Sequence, residues 1–244
     1  MTCTTAGSPT ISANATISTN PNISTNPIAN IPIPELVVLT KKKPIQKVMK
    51  RIIDIALSLI SIIVLSPLFV LLIVLIKNDS KGSAIFKQAR VGLNGKYFYM
   101  YKLRSMVEDA EEQFEQVKDL NRTNHVMFKA KSDPRITKIG KFIRRYSLDE
   151  LPQVFNVLKG EMSLVGPRPP VPRELKHYKQ WHHVRFLAKP GLTGLWQVSG
   201  RATIKDFDKV VSLDYEYIKK WNLLLDIKII FKTVPVVISG NGAG

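Results

Sequence analysis

One long apolar run stands out in the pattern of hydrophobic and polar positions along the chain. Residues 52–76 are apolar except for Asp54, three serines and Pro67. At about 1.5 Å per residue, a straight helix over this run would extend about 37 Å, which exceeds the ~30 Å hydrocarbon core of a bilayer. Length and composition alone therefore favour a single transmembrane helix.

Two features of the run favour a re-entrant hairpin instead. Pro67 disfavours helix at Ser66, and the arms on either side, about 22 and 15 Å long, are each too short to cross a bilayer. Basic residues flank both ends of the run, and a hairpin keeps both clusters inside, in line with the positive-inside tendency. Asp54, Ser58 and Ser61 share one helical face, which would either satisfy backbone groups at the break or pack against protein.

The chain after the apolar run has mixed strand-like and helical patterns. Residues 84–86 and 96–102 have strand composition and a turn at 91–95 separates them, which predicts a β-hairpin. Residues 105–120 have the pattern of a helix with an acidic, solvent-facing side. Residues 213–237 form an apolar helical region that contains aromatic residues and lysines, a composition that suits a helix in the bilayer interface and equally a core helix.

The N-terminal residues differ in composition from the rest. Residues 1–40 carry one charged side chain, Glu35, and more than half of them are Ser, Thr, Asn or Pro. This composition predicts a flexible polar tail that is not a signal peptide. The predicted organisation is this tail, a basic juxtamembrane segment at 41–51, the re-entrant membrane helix at 52–76 and a cytosolic domain at 77–244, which contains the motifs described below.

Charge and composition narrow the classes of function. The 36 Lys and Arg residues exceed the 19 Asp and Glu residues, and the formal net charge of +17 predicts an anionic partner: a phosphorylated substrate, lipid headgroups or nucleic acid. Cys3 is the single cysteine, which excludes an intramolecular disulfide framework and a cysteine-based zinc cluster. The sequence contains no Walker loop, no Gly-x-Gly-x-x-Gly motif and no His-Glu-x-x-His motif.

The most informative motif is Ser147-Leu-Asp-Glu150. By itself, Ser-x-x-Glu is typical of a helix capping box, in which Asp149 and Glu150 would be ordinary residues of the first turn. Pro152 requires the helix to begin near Asp149, because proline lacks the N–H group that a helix interior needs. In either case, the motif predicts two adjacent carboxylates at a helix N-terminus.

The same position also fits phosphoryl-transfer chemistry. A helix N-terminus attracts phosphate and favours an ionised carboxylate. An ionised aspartate there is able to attack phosphorus and form an acyl phosphate, while its neighbour is able to bind Mg²⁺. The candidate phosphate-binding residues are Lys138, Lys141, Arg144, Arg145, Arg168 and, in a glycine-rich segment at 189–201, Arg201.

A set of motifs in one order resembles the bacterial sugar transferases. They are Lys50-Arg-x-x-Asp54, Ser66-Pro67, Phe86-x-Gln-x-Arg90-x-Gly92, Tyr101-Lys-Leu-Arg-Ser-Met106, Ser147-Leu-Asp-Glu-Leu-Pro-Gln153, Asn156-Val-Leu-Lys-Gly160, Gly166-Pro-Arg-Pro169 and Lys189-Pro-Gly-Leu-Thr-Gly-Leu-Trp-Gln197. Each motif is weak alone, but their joint order is very specific. The resemblance extends from about residue 50 to the C-terminus.

The resemblance to these monotopic phosphoglycosyl transferases implies an activity. It is transfer of sugar-1-phosphate from a UDP-sugar to polyprenyl (undecaprenyl) phosphate with release of UMP, the first membrane step of exopolysaccharide, capsule or O-antigen assembly. By similarity, Asp149 is the nucleophile that forms a phosphosugar-aspartyl intermediate, and Glu150 binds the cofactor Mg²⁺. The residues that match family positions near the substrate phosphates are Arg144 and Arg168, with Lys102 or Arg104 as a weaker match.

The resemblance also implies a fold and a location. Ser66-Pro67 matches the break in the family's re-entrant membrane helix, which favours the hairpin. The predicted fold class is α+β: a re-entrant membrane helix hairpin, and a mainly helical cytosolic domain with a small β-hairpin and interfacial amphipathic helices. The expected location is the cytoplasmic face of the bacterial plasma (inner) membrane, in contact with membrane lipid. The 194–201 segment resembles members that transfer a hexose such as glucose or galactose. The resemblance leaves open whether the protein forms a homodimer.

Two other functions also stay open on the sequence. A non-enzymatic membrane-surface or scaffolding protein would use the basic charge to bind anionic lipid. A nucleic-acid-binding protein is suggested by the net charge alone, and the sequence has neither a helix-turn-helix nor a basic-aromatic sheet signature. We therefore expect no nucleic-acid partner.

Overall fold

The computed structural model of the 244-residue chain describes residues 43–113, 117, 133–200, 204 and 206–240. The predicted tail at 1–40 and the candidate Arg201 lie outside these residues. The described elements are helices α1 (Pro44–Asp79), α2 (Lys138–Arg145), α3 (Gln153–Lys159), α4 (Leu195–Val198), α5 (Phe207–Lys220) and α6 (Leu223–Ser239), and strands β1 (Ile85–Val91), β2 (Tyr97–Leu103), β3 (Ser163–Val165) and β4 (Gly191–Thr193). This mixture of helices and small sheets agrees with the predicted α+β class.

Helix α1 contains the whole apolar run and continues beyond both of its ends. Its 36 residues correspond to about 54 Å of helix, and Pro67 lies inside it. In the described part of the chain, α1 alone is long and apolar enough to cross a membrane. Helical structure is continuous through Ser66 and Pro67, so the break that defines a re-entrant hairpin stays a prediction.

One face of α1 packs against the rest of the protein. Its buried residues are Asp54, Ser58, Leu72 and Ile76, whose spacing places them on one side of a helix. The polar stripe of α1 therefore packs against protein, one of the two outcomes that the sequence predicts. The exposed apolar side chains of α1 include Ile52, Leu59, Ile60, Ile63, Val64, Val70, Leu71 and Val74. An apolar surface of this extent marks a contact with a membrane or with another protein.

Polar contacts hold both ends of α1 on the folded domain. Near its start, Lys50 Nζ donates to Asp226 Oδ2 of α6 at 2.6 Å, and the Arg51 guanidinium donates to the carbonyl groups at the end of α3. At its other end, Asp79 Oδ2 accepts a hydrogen bond from the backbone N–H of Ile139 at 3.0 Å. The exposed apolar residues from Ile52 to Val74 lie between these two attachments.

Asp54 links α1 to β3, and its replacement by Leu is expected to destabilise the protein. Its Oδ1 accepts from the Ser163 hydroxyl at 3.1 Å and from the Leu164 N–H at 3.0 Å. Leucine would leave both donors without an acceptor, at a cost of about 1–3 kcal/mol in free energy of unfolding. Asp54→Asn keeps an acceptor oxygen and is the matched control. Thermal unfolding in detergent measures both variants, and equal losses would contradict this role of the acceptor.

The predicted β-hairpin is confirmed, with a longer first strand. Strand β1 pairs antiparallel with β2 from Ile85 opposite Leu103 to Val91 opposite Tyr97. Its residues 87–91, Lys-Gln-Ala-Arg-Val, are mostly polar, so composition predicted only the first part of β1 as strand. The turn between the strands contains a short 3₁₀ segment, Leu93–Gly95, in which Asn94 has a left-handed backbone with φ 55°. Asparagine tolerates this conformation better than most residues do.

The predicted helix at 105–120 is wrong over residues 105–113, which form a β-bridge and turns. Backbone groups at the start of this segment bond to residues 135 and 137 instead of continuing a helix. Val107 N–H donates to Arg135 O at 2.9 Å, and Ser105 O accepts from Thr137 N–H at 3.2 Å. Apart from Val117, the remainder of the predicted helix lies outside the described residues.

The helical region predicted at 213–237 is two helices, α5 and α6. The break lies at Trp221 and Asn222, because the Asn222 side chain accepts from the N–H of Leu225 and so begins a new helix. Helix α6 buries Asp226 and Ile229. Its opposite face has exposed apolar side chains: Leu224, Ile227, Phe231, Val234 and Ile238.

Three clusters of buried apolar side chains form the core of the described residues; the smallest contains Met100 of β2, Val157 of α3 and Met162, and the other two are larger. The largest cluster joins residues of β3, α4, α5 and α6. The second cluster packs Leu72 and Ile76 of α1 against Leu103 of β2 and Ile143 of α2. Helix α1 is therefore part of the core of the folded domain.

Asp214 of α5 makes the stability of this core depend on pH. It is buried against Arg185, whose Nε donates to Asp214 Oδ2 at 2.7 Å. Burial raises the pKa of Asp214 from 3.8 to about 6, because it disfavours the carboxylate more than Arg185 favours it. Between these two pKa values the folded protein binds more protons than the unfolded chain. The free energy of unfolding is therefore expected to fall by about 3 kcal/mol as the pH rises from the lower value to the higher one.

The variant Asp214→Asn tests this dependence, since it should gain stability relative to the wild type as the pH rises from about 4 to about 6.5. Asp208 lies on the same helix, but hydrogen bonds from Lys179 and His182 hold its pKa below the usual value. The carboxyl of Asp208 therefore stays ionised across this pH range, and Asp208→Asn should run nearly parallel to the wild type. Unfolding by urea across this pH range measures both variants, and parallel curves for Asp214→Asn and the wild type would contradict the prediction.

Candidate active site

Asp149 and Glu150 lie together in a short 3₁₀ turn, Leu148–Glu150, between α2 and α3, and both are buried. The predicted capping box is absent here, because the Ser147 side chain makes no cap hydrogen bond and its backbone is left-handed with φ 54°. The helix begins only at Gln153, after Pro152. The carboxylates are thus one turn before the helix and not in its first turn. A non-glycine residue in this backbone region is uncommon and often marks a functional site.

Lys102 of β2 brings a positive charge to both carboxylates. Its Nζ lies 3.6 Å from Asp149 Oδ2 and 3.5 Å from Glu150 Oε1. Burial lowers the pKa of Lys102, and the attraction of the two carboxylates opposes that effect. Arg104, the alternative match in the sequence, instead donates to the carbonyl groups of residues 80 and 81.

Arg168 is the second cation at the carboxylates, and it reaches them from the loop after β3. Its Nη1 lies 3.1 Å from Glu150 Oε1. Burial alone lowers the pKa of Arg168, but the attraction of Glu150 outweighs it, and the pKa is raised. Arg168 therefore stays charged beside the acidic pair.

The neighbouring arginines Arg144 and Arg145 take different positions. Arg144 is half-buried and lines the cavity above the carboxylates. Arg145 is exposed, and its guanidinium lies 5.7 Å from the centre of the Tyr146 ring, away from the cavity-lining residues. Consecutive residues of a helix do not face the same side, which explains the difference.

The two carboxylates open into a cavity of about 300 Å³. Five acidic side chains line it among the described residues, and the basic ones are Arg90, Lys102, Arg104, Arg135, Arg144, Arg168, Arg173 and Arg185. The excess of positive charge suits a substrate with several phosphate oxygens. The sequence does not predict Arg135, Arg173 and Arg185 as site residues. They carry no local motif, and long-range contacts bring them to the cavity.

Asn156 fixes the distance between β2 and the carboxylates. It is fully buried at the centre of α3. Its amide donates to Tyr99 O at 2.7 Å, and its Oδ1 accepts from Tyr101 N–H at 3.0 Å. Lys102 follows Tyr101 directly, and Glu150 lies just before α3. Asn156 thereby explains why the Asn-Val-Leu-Lys-Gly motif accompanies the carboxylate pair.

Two glycines allow the loop of Arg168 to pack against the segment at 189–193. A Cβ atom on Gly191 would lie 2.0 Å from Gly166 N, and one on Gly166 would lie 2.2 Å from Lys189 O. Strands β3 and β4 pair in parallel at this point, with Ser163 opposite Gly191. The glycine-rich segment therefore allows close backbone packing against the loop of Arg168, a role that its composition did not predict.

The acidic pair fits a magnesium ion bound together with substrate. The described residues contain no group of three or more His, Cys, Asp or Glu side chains that could hold a metal alone. Mg²⁺ usually takes one or two carboxylates, with waters and substrate phosphates as its other ligands. Glu150, beside Asp149, meets this smaller requirement.

The sequence from residue 45 to residue 240 matches the family described as bacterial sugar transferase. This chain belongs to the bacterial sugar transferase family. The galactosyl transferase CpsE of Streptococcus agalactiae serotype III is 50% identical over 194 residues, which cover 80% of this chain and 43% of that protein. The undecaprenyl-phosphate galactose phosphotransferase of Salmonella typhimurium is 48% identical over 202 residues, 80% of this chain and 41% of that protein.

This sugar transferase covers most of the length of a shorter relative. The exopolysaccharide production protein ExoY of Sinorhizobium fredii is 38% identical over 205 residues, which are 82% of this chain and 90% of ExoY. The chain thus spans about two fifths of the first two relatives and most of ExoY.

Proposed function

We propose that this sugar transferase moves sugar-1-phosphate from a UDP-sugar to undecaprenyl phosphate and releases UMP. The observation that carries the proposal is the buried pair of Asp149 and Glu150, held by Lys102 and Arg168 in a basic cavity. Relatives named as undecaprenyl-phosphate galactose or glucose phosphotransferases support this acceptor and a hexose. Mg²⁺ at Glu150 would neutralise charge on the phosphates of the donor.

In the first step, a carboxylate oxygen of Asp149 attacks the phosphorus that carries the sugar. The bond from this phosphorus to the bridging oxygen breaks, and UMP leaves with that oxygen and the bonding electrons. The enzyme then carries an acyl phosphate with the sugar attached. Lys102 and Arg168, which pair with Asp149 and Glu150, would stabilise the negative charge that develops on the phosphate oxygens.

In the second step, a phosphate oxygen of undecaprenyl phosphate attacks the same phosphorus. The bond to Asp149 breaks, and the carboxylate is regenerated with its charge. The water-soluble donor and the lipid acceptor therefore never need to occupy the site together. The product is a sugar linked to the lipid through a diphosphate.

The exposed apolar faces support a membrane location for this chemistry. We propose that α1 enters and leaves the bilayer on the cytoplasmic side and that α6 lies in the interface with its face of Leu224, Ile227, Phe231, Val234 and Ile238. Both ends of α1 form hydrogen bonds with the same folded domain, which favours a topology in which the two ends lie on the same side of the membrane.

Cysteine labelling tests this topology. In a Cys3→Ser background, cysteines placed at Lys47 and Lys81 are expected to react with a membrane-impermeant reagent from the cytoplasmic side only. Labelling of the two positions from opposite sides would contradict the hairpin and indicate a single span.

The activity itself is tested with a panel of UDP-sugars. Detergent-solubilised protein, undecaprenyl phosphate and Mg²⁺ are expected to release UMP with one hexose donor, and UDP-glucose and UDP-galactose are the first candidates. Omission of undecaprenyl phosphate should limit release to about one UMP per enzyme, since the acceptor is needed for turnover. A chain that releases no UMP with any UDP-sugar would contradict the proposed function.

A further inference from the structure

The segment that carries Arg168 is held through its carbonyl groups. Arg168 is followed by two prolines, which have no N–H group to donate, so this backbone depends on donors from elsewhere. Three successive carbonyl oxygens accept one hydrogen bond each: Arg168 O from Arg185 at 2.9 Å, Pro169 O from Arg90 at 2.7 Å and Pro170 O from the N–H of Val91 at 3.0 Å.

Arg185 is itself fixed on its other sides. Its Nε donates to Asp214 Oδ2 at 2.7 Å, and its Nη1 donates to the Tyr178 hydroxyl at 2.6 Å. Both Arg185 and Asp214 are buried. Burial alone lowers the pKa of Arg185, but Tyr178 and Asp214 raise it more, so the guanidinium stays charged. Three of its nitrogen atoms thus point in set directions, one of them toward the backbone of Arg168.

We propose that Arg185, held by Asp214, is a positioning residue that acts through Arg168. The guanidinium of Arg185 fixes the backbone from which the Arg168 side chain extends to Glu150. This inference rests on the proposed function, because Arg168 matters for rate only if it binds the phosphates of the reaction. A shift of this backbone by about 1 Å would be enough to lower the rate strongly.

Lysine cannot replace Arg185 in this task. A lysine has one terminal nitrogen, whereas Arg185 uses three nitrogens in a planar group to bind Asp214, Tyr178 and Arg168 together. Arg185→Lys keeps the buried positive charge near Asp214, so it separates loss of positioning from loss of charge.

A double-mutant cycle between Arg185 and Arg168 tests the proposal. In the wild-type background, Arg185→Lys is expected to lower kcat for sugar-phosphate transfer about tenfold with a smaller change in KM, and Arg168→Ala about a hundredfold. In the Arg168→Ala background, Arg185→Lys should lower kcat less than about twofold, because the side chain that it positions is already gone. Thermal unfolding is measured on the same proteins.

The outcomes separate this inference from the proposed function. If Arg185→Lys lowered kcat by the same factor in the wild-type and Arg168→Ala backgrounds, the positioning role would be overturned, even if the variant also has a lower unfolding temperature. A wild type without sugar-phosphate transfer would refute the proposed function instead. If Arg185→Lys does not fold, Asp214→Asn replaces it in the same cycle, with Asp208→Asn on the same helix as the matched control, which should leave kcat unchanged in both backgrounds.

Discussion

Replacing Asp149 by Asn is expected to reduce sugar-phosphate transfer by about 10³-fold or more. The amide has nearly the shape of the carboxylate, so the turn of residues 148–150 and its contacts should persist. It lacks the charged oxygen that attacks phosphorus, so the acyl phosphate cannot form. The measurement is UMP release with a saturating UDP-sugar.

Covalent trapping distinguishes this role from a general electrostatic effect. Wild-type enzyme incubated with donor alone should show an added hexose phosphate on the peptide that contains Asp149, and Asp149→Asn should show none. The matched control is Asp208→Asn, which changes a half-buried aspartate of α5 and should keep the adduct. An adduct on a different residue, or full turnover by Asp149→Asn, would refute the nucleophile.

Replacing Lys102 by Met is expected to lower kcat/KM by about 10²-fold. Lys102 lies within 3.6 Å of both carboxylates, and a methionine of similar length fills its space without the charge. Two buried carboxylates would then share the site with one cation fewer, which repels an anionic donor and leaves the developing charge less stabilised. Initial rates with a UDP-sugar at varied concentration give the effect.

Lys102→Arg is the control that keeps a positive charge in this place. It should retain at least about a tenth of the wild-type kcat/KM, because a guanidinium is also able to pair with carboxylate and phosphate. If Lys102→Met and Lys102→Arg were equally impaired, shape and not charge would explain the role of Lys102.

Local patterns predicted the parts of this fold that local interactions determine. The apolar run, the turn at 91–95 and the aromatic second strand each specify their own structure, and α1 and the β-hairpin agree with them. The segment at 105–113 differs because the backbone groups of Ser105 and Val107 bond to Thr137 and Arg135, and no pattern within the segment shows these partners.

The same distinction applies to the candidate site. The adjacent carboxylates are visible in the sequence, but Ser-x-x-Glu wrongly predicts a capping box, since Pro152 delays the helix and Ser147 becomes left-handed. The cations that surround the pair come from remote elements. Lys102 lies beside the carboxylates because Asn156 binds β2 to α3, and these two segments are far apart in the chain.

The attachment of α1 limits how this enzyme can be shortened. A soluble fragment that begins after residue 79 would lose Leu72 and Ile76 from the second core cluster and leave Asp226 and the end of α3 without Lys50 and Arg51. The apolar patch on α6 would remain and promote aggregation in water. Helix α1 and the rest of the folded domain therefore have to be expressed, purified and crystallised together.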